Sequence, residues 1–215
     1  MGIVGSPDIF QAKMLELMVA LQFVKTYLHD LLCITRASLE DHLEKQREVL
    51  TRLREAGLKV NARKSKFSTK ETKYLGYVLT TNGIKPQQKK IQTILALTLP
   101  TGVKDLCRFL GMVQYYRDLW AKRSDMLAPL TSECGHAKVT KALKTKKVPW
   151  HWDEVHQKAF NDIKAIIARD VALAYPDYSK EFEIYTDASS PQMGAVITQQ
   201  NRPIVFFSRK LSTSQ

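Results

Sequence analysis

Phe23-Val24-Lys25-Thr26-Tyr27, then Leu28-His29-Asp30, then Leu31-Leu32-Cys33-Ile34-Thr35: this run decides how the rest of the chain reads. Two short β-prone runs flank a tripeptide with two polar members, the pattern of a tight hairpin turning at Leu28-His29-Asp30. Such a hairpin is marginal alone and needs a neighbour to pack on. Upstream, Ser6-Pro7-Asp8 reads as a helix start: a side-chain acceptor, a preset φ, and an acid at the positive end of the dipole. Phe10, Met14, Leu17 and Leu21 follow as its apolar positions. Downstream, Ser38-x-x-Asp41 resembles a capping box with Asp for Glu. It opens a helix whose expected apolar face is Leu39, Leu43, Leu50 and Leu53, with Gly57 as its stop.

Further on, Tyr74-Leu75-Gly76-Tyr77-Val78-Leu79 reads as one strand, followed by a turn at Asn82-Gly83. Pro86 is expected to start a helix with Ile91, Ile94 and Leu95 on one face, and Pro100 to end that segment. Val103 to Tyr116 carries Leu106, Phe109, Leu110 and Val113 at helical spacing. A third short helix is expected from about Ser124 to Leu130. The lysine-rich stretch ending at Pro149 has no apolar periodicity and is the best linker candidate. Beyond it, Asp153 can cap a helix bearing Val155, Ala159, Ile163, Ile166 and Ile167. Strand-like runs at Glu181–Asp187, Ala195–Gln199 and Ile204–Ser208 complete the chain. Helices and strands in this order make an α+β fold with a second unit at the C-terminus.

A length of 215 residues suits one domain or two small ones, and 44% hydrophobic with 25% charged residues is a globular composition. No run approaches the roughly 18 apolar residues of a membrane span, so no membrane partner is expected. No signal peptide is evident, and an intracellular location, cytoplasm or nucleus, is expected. Cys33, Cys107 and Cys134 form no CxxC, which excludes a zinc cluster or disulfide framework as the organising principle.

The net charge of +12 favours a polyanionic partner. Lys59 to Lys73 holds six basic residues against one acid, and Glu133 to Pro149 five lysines against one acid. Both stretches read equally as solvated loops. Met1-Gly2-Ile3-Val4-Gly5-Ser6 also satisfies the N-myristoylation pattern.

Taken together, the motifs resemble gypsy-like long-terminal-repeat retrotransposon Pol polyproteins, in their reverse transcriptase and ribonuclease H region. Ser6-Pro7-Asp8-Ile9-Phe10-Gln11 is similar to the helix before the catalytic hairpin, and Tyr27-Leu28-His29-Asp30 to the Tyr-x-Asp-Asp box. Gly57-Leu58, Asn61 and Lys64 resemble the next palm motif, and Tyr74-Leu75-Gly76-Tyr77 the primer grip. Phe109-Leu110-Gly111, Tyr115-Tyr116-Arg117 and Ala128-Pro129-Leu130 resemble the thumb and connection. Trp152, Ala159-Phe160, Pro176-Asp177 and Thr186-Asp187-Ala188-Ser189 resemble the start of the ribonuclease H-like domain. The resemblance runs from Ser6 to about Leu211. It divides the chain into a palm remnant (1–84), thumb and connection helices with a basic linker (85–149), and the first part of a ribonuclease H-like domain (150–215). It also makes residues 1–6 an internal palm segment and not a lipidation signal.

The chemistry implied is RNA-directed DNA polymerisation and RNA cleavage, each needing two Mg²⁺ ions held by clustered carboxylates. Asp30 and Asp187 stand at family catalytic and metal positions. Here His29 replaces the first Asp of the box, and an imidazole is a softer, neutral ligand. The family's upstream carboxylate would precede residue 1, and the remaining ribonuclease H acids would follow residue 215. The expectation is a catalytically dead fragment that binds no metal productively and keeps residual, sequence-independent binding to RNA–DNA hybrid or DNA. An active polymerase within a larger polyprotein and a repurposed nucleic-acid-binding module are the alternatives. Lys64 fits the palm lysine near the leaving pyrophosphate, or is one surface cation among six. Arg63 and Lys66 beside it, with Leu75, Gly76 and Tyr77, are the candidate nucleic-acid contacts. Gly76 marks either a close approach of the primer backbone or an ordinary strand irregularity. A turn role for Asp187 and a solvent-facing turn role for His29 compete with metal binding.

Overall fold

The computed structural model describes residues 4–143, 150–169, 171–189 and 192–211, and for 135–143 the backbone alone. Met1–Ile3, which open the lipidation pattern, and Lys144–Pro149 lie outside the described residues. The chain forms two compact units, Met1–Tyr74 and Leu75–Gln215, and its class is α+β.

The first unit begins with α1 (Ser6–Met18). Gly5, at φ 86°, is its N-cap, so Ser6 does not supply the side-chain cap expected of it; Pro7 sits in the first turn, where no amide hydrogen is needed. β1 (Val24–Tyr27) and β2 (Asp30–Cys33) pair antiparallel with Tyr27 opposite Asp30. The loop is therefore Leu28-His29, and Asp30 already belongs to the ladder. In α2 (Leu39–Glu55), Ser38 caps by accepting from the Asp41 amide at 3.3 Å. Gly57, at φ 70°, closes the helix: its amide and that of Leu58 return to the carbonyls of Arg54 and Leu53, a Schellman stop. The core is Met14, Met18, Leu21, Val24, Val49 and Leu53. The expected α2 face is corrected by this set. Leu39, Leu43 and Leu50 are 57%, 47% and 40% exposed, because α2 turns Val49 and Leu53 to the core of this unit. β3 (Glu71–Tyr74) ends the unit.

In the second unit β4 (Tyr77–Thr80) pairs with β5 (Gly83–Pro86) around a Thr81-Asn82 loop. Pro86 thus ends a strand, and α3 (Gln88–Leu95) starts after it. Gly83 pairs as the first residue of β5 at φ 148°; a Cβ there would lie 2.1 Å from the Leu173 carbonyl oxygen, whose backbone bridges Ile84. A close backbone approach thus falls at Gly83, which the sequence places in a turn. α4 (Val103–Tyr115) buries all four of Leu106, Phe109, Leu110 and Val113. α5 (Arg123–Leu143) continues well past Leu130, so much of the supposed linker is helical backbone. α6 (Glu154–Ile167) is capped by Asp153 as expected, although Val155 is exposed and His156 buried.

A meander of β6 (Glu183–Ser189), β7 (Gln192–Gln199) and β8 (Arg202–Lys210) follows, in the order β6-β7-β8. Packing does not break near residue 150. One core runs from Ile91 to Leu173, with the Phe109 and Phe160 rings 4.5 Å apart, so the lysine-rich stretch separates sequence patterns and not cores.

Candidate nucleic-acid interface

The hairpin tip is held from α1. The Gln11 amide donates to the Thr26 carbonyl and hydroxyl at 3.4 and 3.2 Å, and its oxygen accepts from the Leu28 amide at the turn. Leu28 sits at φ 49°. His29 is exposed at the tip, in agreement with the solvent-facing reading. Asp30 is exposed too. The Tyr74 hydroxyl is pushed up by partial burial first, then by the nearby charge of Asp30 and by Tyr27.

Between α2 and β3 the chain is irregular, and all six cations from Lys59 to Lys73 are exposed. Asn61 shapes it: its carbonyl accepts from the Lys64 and Ser65 amides at 3.1 Å, and its side chain also takes the Lys64 amide, at 3.3 Å. Arg63 and Lys64 are exposed within this turn. Among the described residues Arg63, Lys64 and Lys66 enter no ion pair, and no contact joins Lys64 to Asp30. Exposed like charges at this density attract phosphates at long range.

Leu75-Gly76-Tyr77 is not one strand with its neighbours. Leu75 (φ 44°) and Gly76 (φ 75°) both leave the β region and break the run before β4. Tyrosines from the end of α4 secure this break. The Tyr115 hydroxyl donates to the Leu75 carbonyl at 2.6 Å, and that of Tyr116 to the Gly76 carbonyl at 3.1 Å. Tyr77 donates in return to the Tyr115 carbonyl at 3.0 Å, and its ring stacks on that of Tyr115. Burial, reinforced by the neighbouring phenols and Asp118, pushes the Tyr77 hydroxyl up to about 12. A Cβ on Gly76 would come within 2.9 Å of the Tyr115 ring. Gly76 is therefore required by a turn and a tyrosine, which corrects the strand reading of 74–79. The adjacent pair Tyr115-Tyr116 was visible in the sequence; its reach back to residues 75 and 76 was not.

Asp187 lies within β6, opposite Gly194. It does not initiate a turn. Its carboxylate is 71% exposed and faces Lys122 Nζ at 3.5 Å, an exposed pair of small energetic weight. Among the described residues neither Asp30 nor Asp187 belongs to a group of three potential metal ligands; the group that does is His151, Asp153 and His156. That group builds a helix cap. Asp153 Oδ1 accepts from the Val155 and His156 amides at 2.9 and 3.1 Å, and His156 Nδ1 lies 2.7 Å from the same oxygen. The backbone bond from His156 chiefly holds the Asp153 carboxyl down at about 2.

Two family matches mark the chain as a reverse transcriptase segment joined to a ribonuclease H-like segment. Residues 1–79 match the reverse transcriptase (RNA-dependent DNA polymerase) family, and residues 152–215 the RNase H-like domain found in reverse transcriptase, a family whose chemistry uses divalent metal ions. The Pol polyprotein of the Drosophila melanogaster transposon opus is 35% identical over 100% of this chain. That of transposon 297 from the same fly is 36% identical over 98%. The chain belongs to the reverse transcriptase–ribonuclease H region of gypsy-like retrotransposon Pol polyproteins. It spans only 22% and 19% of the two relatives' lengths. Foamy viral protease-reverse transcriptase has the same fold. Its complex with RNA/DNA hybrid gives a TM-score of 0.81 at 21% identity, covering 99% of this chain and 28% of that one. Its double-stranded DNA complex gives 0.82 over 100% and 44%.

Proposed function

We propose that this Pol segment carries no polymerase activity and binds RNA–DNA hybrid or duplex DNA without sequence preference. The observation that carries the reading is the hairpin tip, where His29 occupies the place of a carboxylate and Asp30 is left as the one acid. Two divalent ions clamp the attacking and leaving oxygens only if carboxylates offset their charge at close range. A neutral imidazole supplies no such charge and is the softer ligand. We take Mg²⁺ as the ion this chemistry calls for and infer that this segment does not hold it productively.

Binding is supported separately. The exposed cations from Lys59 to Lys73 can neutralise backbone phosphates, which carry no base information. Neighbours of the same fold hold duplex DNA and RNA/DNA hybrid, and we assign this chain the same class of partner. We also propose the division into palm (1–84), thumb with connection (85–149) and ribonuclease H-like part (150–215); the family matches over 1–79 and 152–215 support its two ends.

Primer extension on a hybrid template with Mg²⁺ or Mn²⁺ tests the proposal, with binding followed in the same sample. The expected result is a bound, unextended primer. Template-dependent incorporation above background would overturn it.

A further inference from the structure

Cys107 and Cys134 stand 27 residues apart in sequence, on α4 and α5, yet their Sγ atoms are 2.7 Å apart. No disulfide is formed between them in this structure. A disulfide needs about 2.03–2.05 Å between sulfurs, so bonding would require a shift of well under 1 Å. The two sulfurs differ in access. Cys107 is exposed, whereas Cys134 is 8% exposed and belongs to the core that includes Leu106, Phe109 and Leu130.

We propose that Cys107 and Cys134 form a reversible disulfide that staples α4 to α5. The oxidant is a low-molecular-weight disulfide such as oxidised glutathione. Cys107, deprotonated, attacks one sulfur of that disulfide; a mixed disulfide forms at Cys107 and one glutathione thiolate leaves. Cys134 then gives up its proton, attacks the Cys107 sulfur and expels the second glutathione thiolate. Two protein thiols are oxidised, one glutathione disulfide is reduced to two thiols, and two protons pass to the products or solvent. Access dictates this order, since a solvent-borne disulfide reaches Cys107 first. The ring so closed contains the 3₁₀ turn Arg117–Leu119 and Trp120, whose side chain is buried with that of Leu119. A reducing cytosol keeps such a pair open, so the staple responds to oxidation and is no standing part of the fold.

Cys33 is the internal control. It sits half-buried in β2, and burial pushes its thiol up despite the opposing charge of Lys45; a raised thiol reacts slowly.

The full chain, folded and treated with oxidised glutathione, is digested without reduction and mapped by mass spectrometry. A Cys107–Cys134 linked peptide lacking two hydrogens is expected, with Cys33 still reducible. The oxidised protein should melt on the order of 5 °C or more above its dithiothreitol-treated form. C107S should abolish both the link and the shift, and C33S neither. Because Cys107 is exposed, C107S leaves the core intact, and its melting point when reduced should match the parent. A stable glutathione adduct on Cys107 without closure would overturn the proposal. So would an intermolecular dimer in place of the link, or a link involving Cys33.

Discussion

The two units solve the same problem unequally. The first gathers six buried residues, with no aromatic ring among them. The second builds its core on Phe109, Phe160, Tyr116 and Trp120, and its helices α3, α4, α5 and α6 all contribute. α2 of the first unit leaves Leu39, Leu43 and Leu50 exposed, whereas α4 of the second buries every apolar residue its periodicity marks. Amphipathic spacing announces a face. It does not say whether that face is covered. Stability of this chain should accordingly reside in the second unit, and nucleic-acid binding on the exposed surfaces of the first.

The largest test of that contrast is truncation. Phe160→Ala removes a ring that is 2% exposed and pairs with Phe109, and should destabilise the second unit by about 3–5 kcal/mol. Leu43→Ala, at an exposed position of α2, should change stability by less than about 0.5 kcal/mol. Denaturant melts of the two variants check this, and equal losses would break the comparison.

Next come two of the glycines at positive φ, one in each unit. Gly83→Ala would drive a Cβ into the Leu173 backbone, which cannot swing aside; a loss of more than about 2 kcal/mol is expected. Gly57→Ala meets open space, and strain at its φ of 70° is the main cost, about 1 kcal/mol. If the order were reversed, the bridge between Ile84 and Leu173 would not be a fixed part of the second unit.

Acid should also separate the units, more gently. The carboxyls of Asp105, Asp153 and Asp177 in the second unit lie below their ordinary values, held there chiefly by hydrogen bonds from Thr101, His156 and Ser179; in the first unit Glu40 is lowered, by hydrogen bonds at the start of α2. A depressed carboxyl stabilises the fold above its unfolded value, about 3.9 for Asp, and loses that contribution as pH falls through the folded value. For Asp153 the window runs from about 3.9 down to about 2. Circular dichroism melts over that range should show the second unit losing more, and Asp153→Asn should flatten its pH dependence. An unchanged pH profile in that variant would remove the cap from the account. Hydrogen exchange gives the finest view: α4 should be more protected than the β1–β2 hairpin, and the opposite order would contradict the stability reading.

Much of this was legible in the chain itself. The hairpin, the α4 face, the Asp153 cap and the Gly57 stop all rest on local rules of spacing and hydrogen bonding, and all four are present. The misreadings share a cause. Gly76 reads from sequence as a strand residue and Gly83 as a turn residue, but Tyr115 fixes one and Leu173 the other, and each partner is distant in sequence. A short helix over about Ser124 to Leu130 is what the sequence predicts, yet α5 runs on to Leu143 and carries Pro129 within it. At the site, His29 and Asp30 were readable because they are neighbours. The Gln11 support of the turn was not, since an amide on α1 carries no signal of what it will reach.

The central claim, that exposed cations of the first unit hold nucleic acid by its phosphates, is tested most directly by salt. Binding of the full chain to duplex DNA is measured by fluorescence anisotropy across a salt series, for the parent and for a variant with Arg63, Lys64 and Lys66 all replaced by Ala. About four neutralised phosphates predict a log–log slope near −3.6 for the parent, and loss of three contacts a slope shallower by about 2.7, with weaker binding to every sequence tried. If the triple variant binds as tightly as the parent with an unchanged slope, the stretch from Lys59 to Lys73 is a solvated loop and the claim fails.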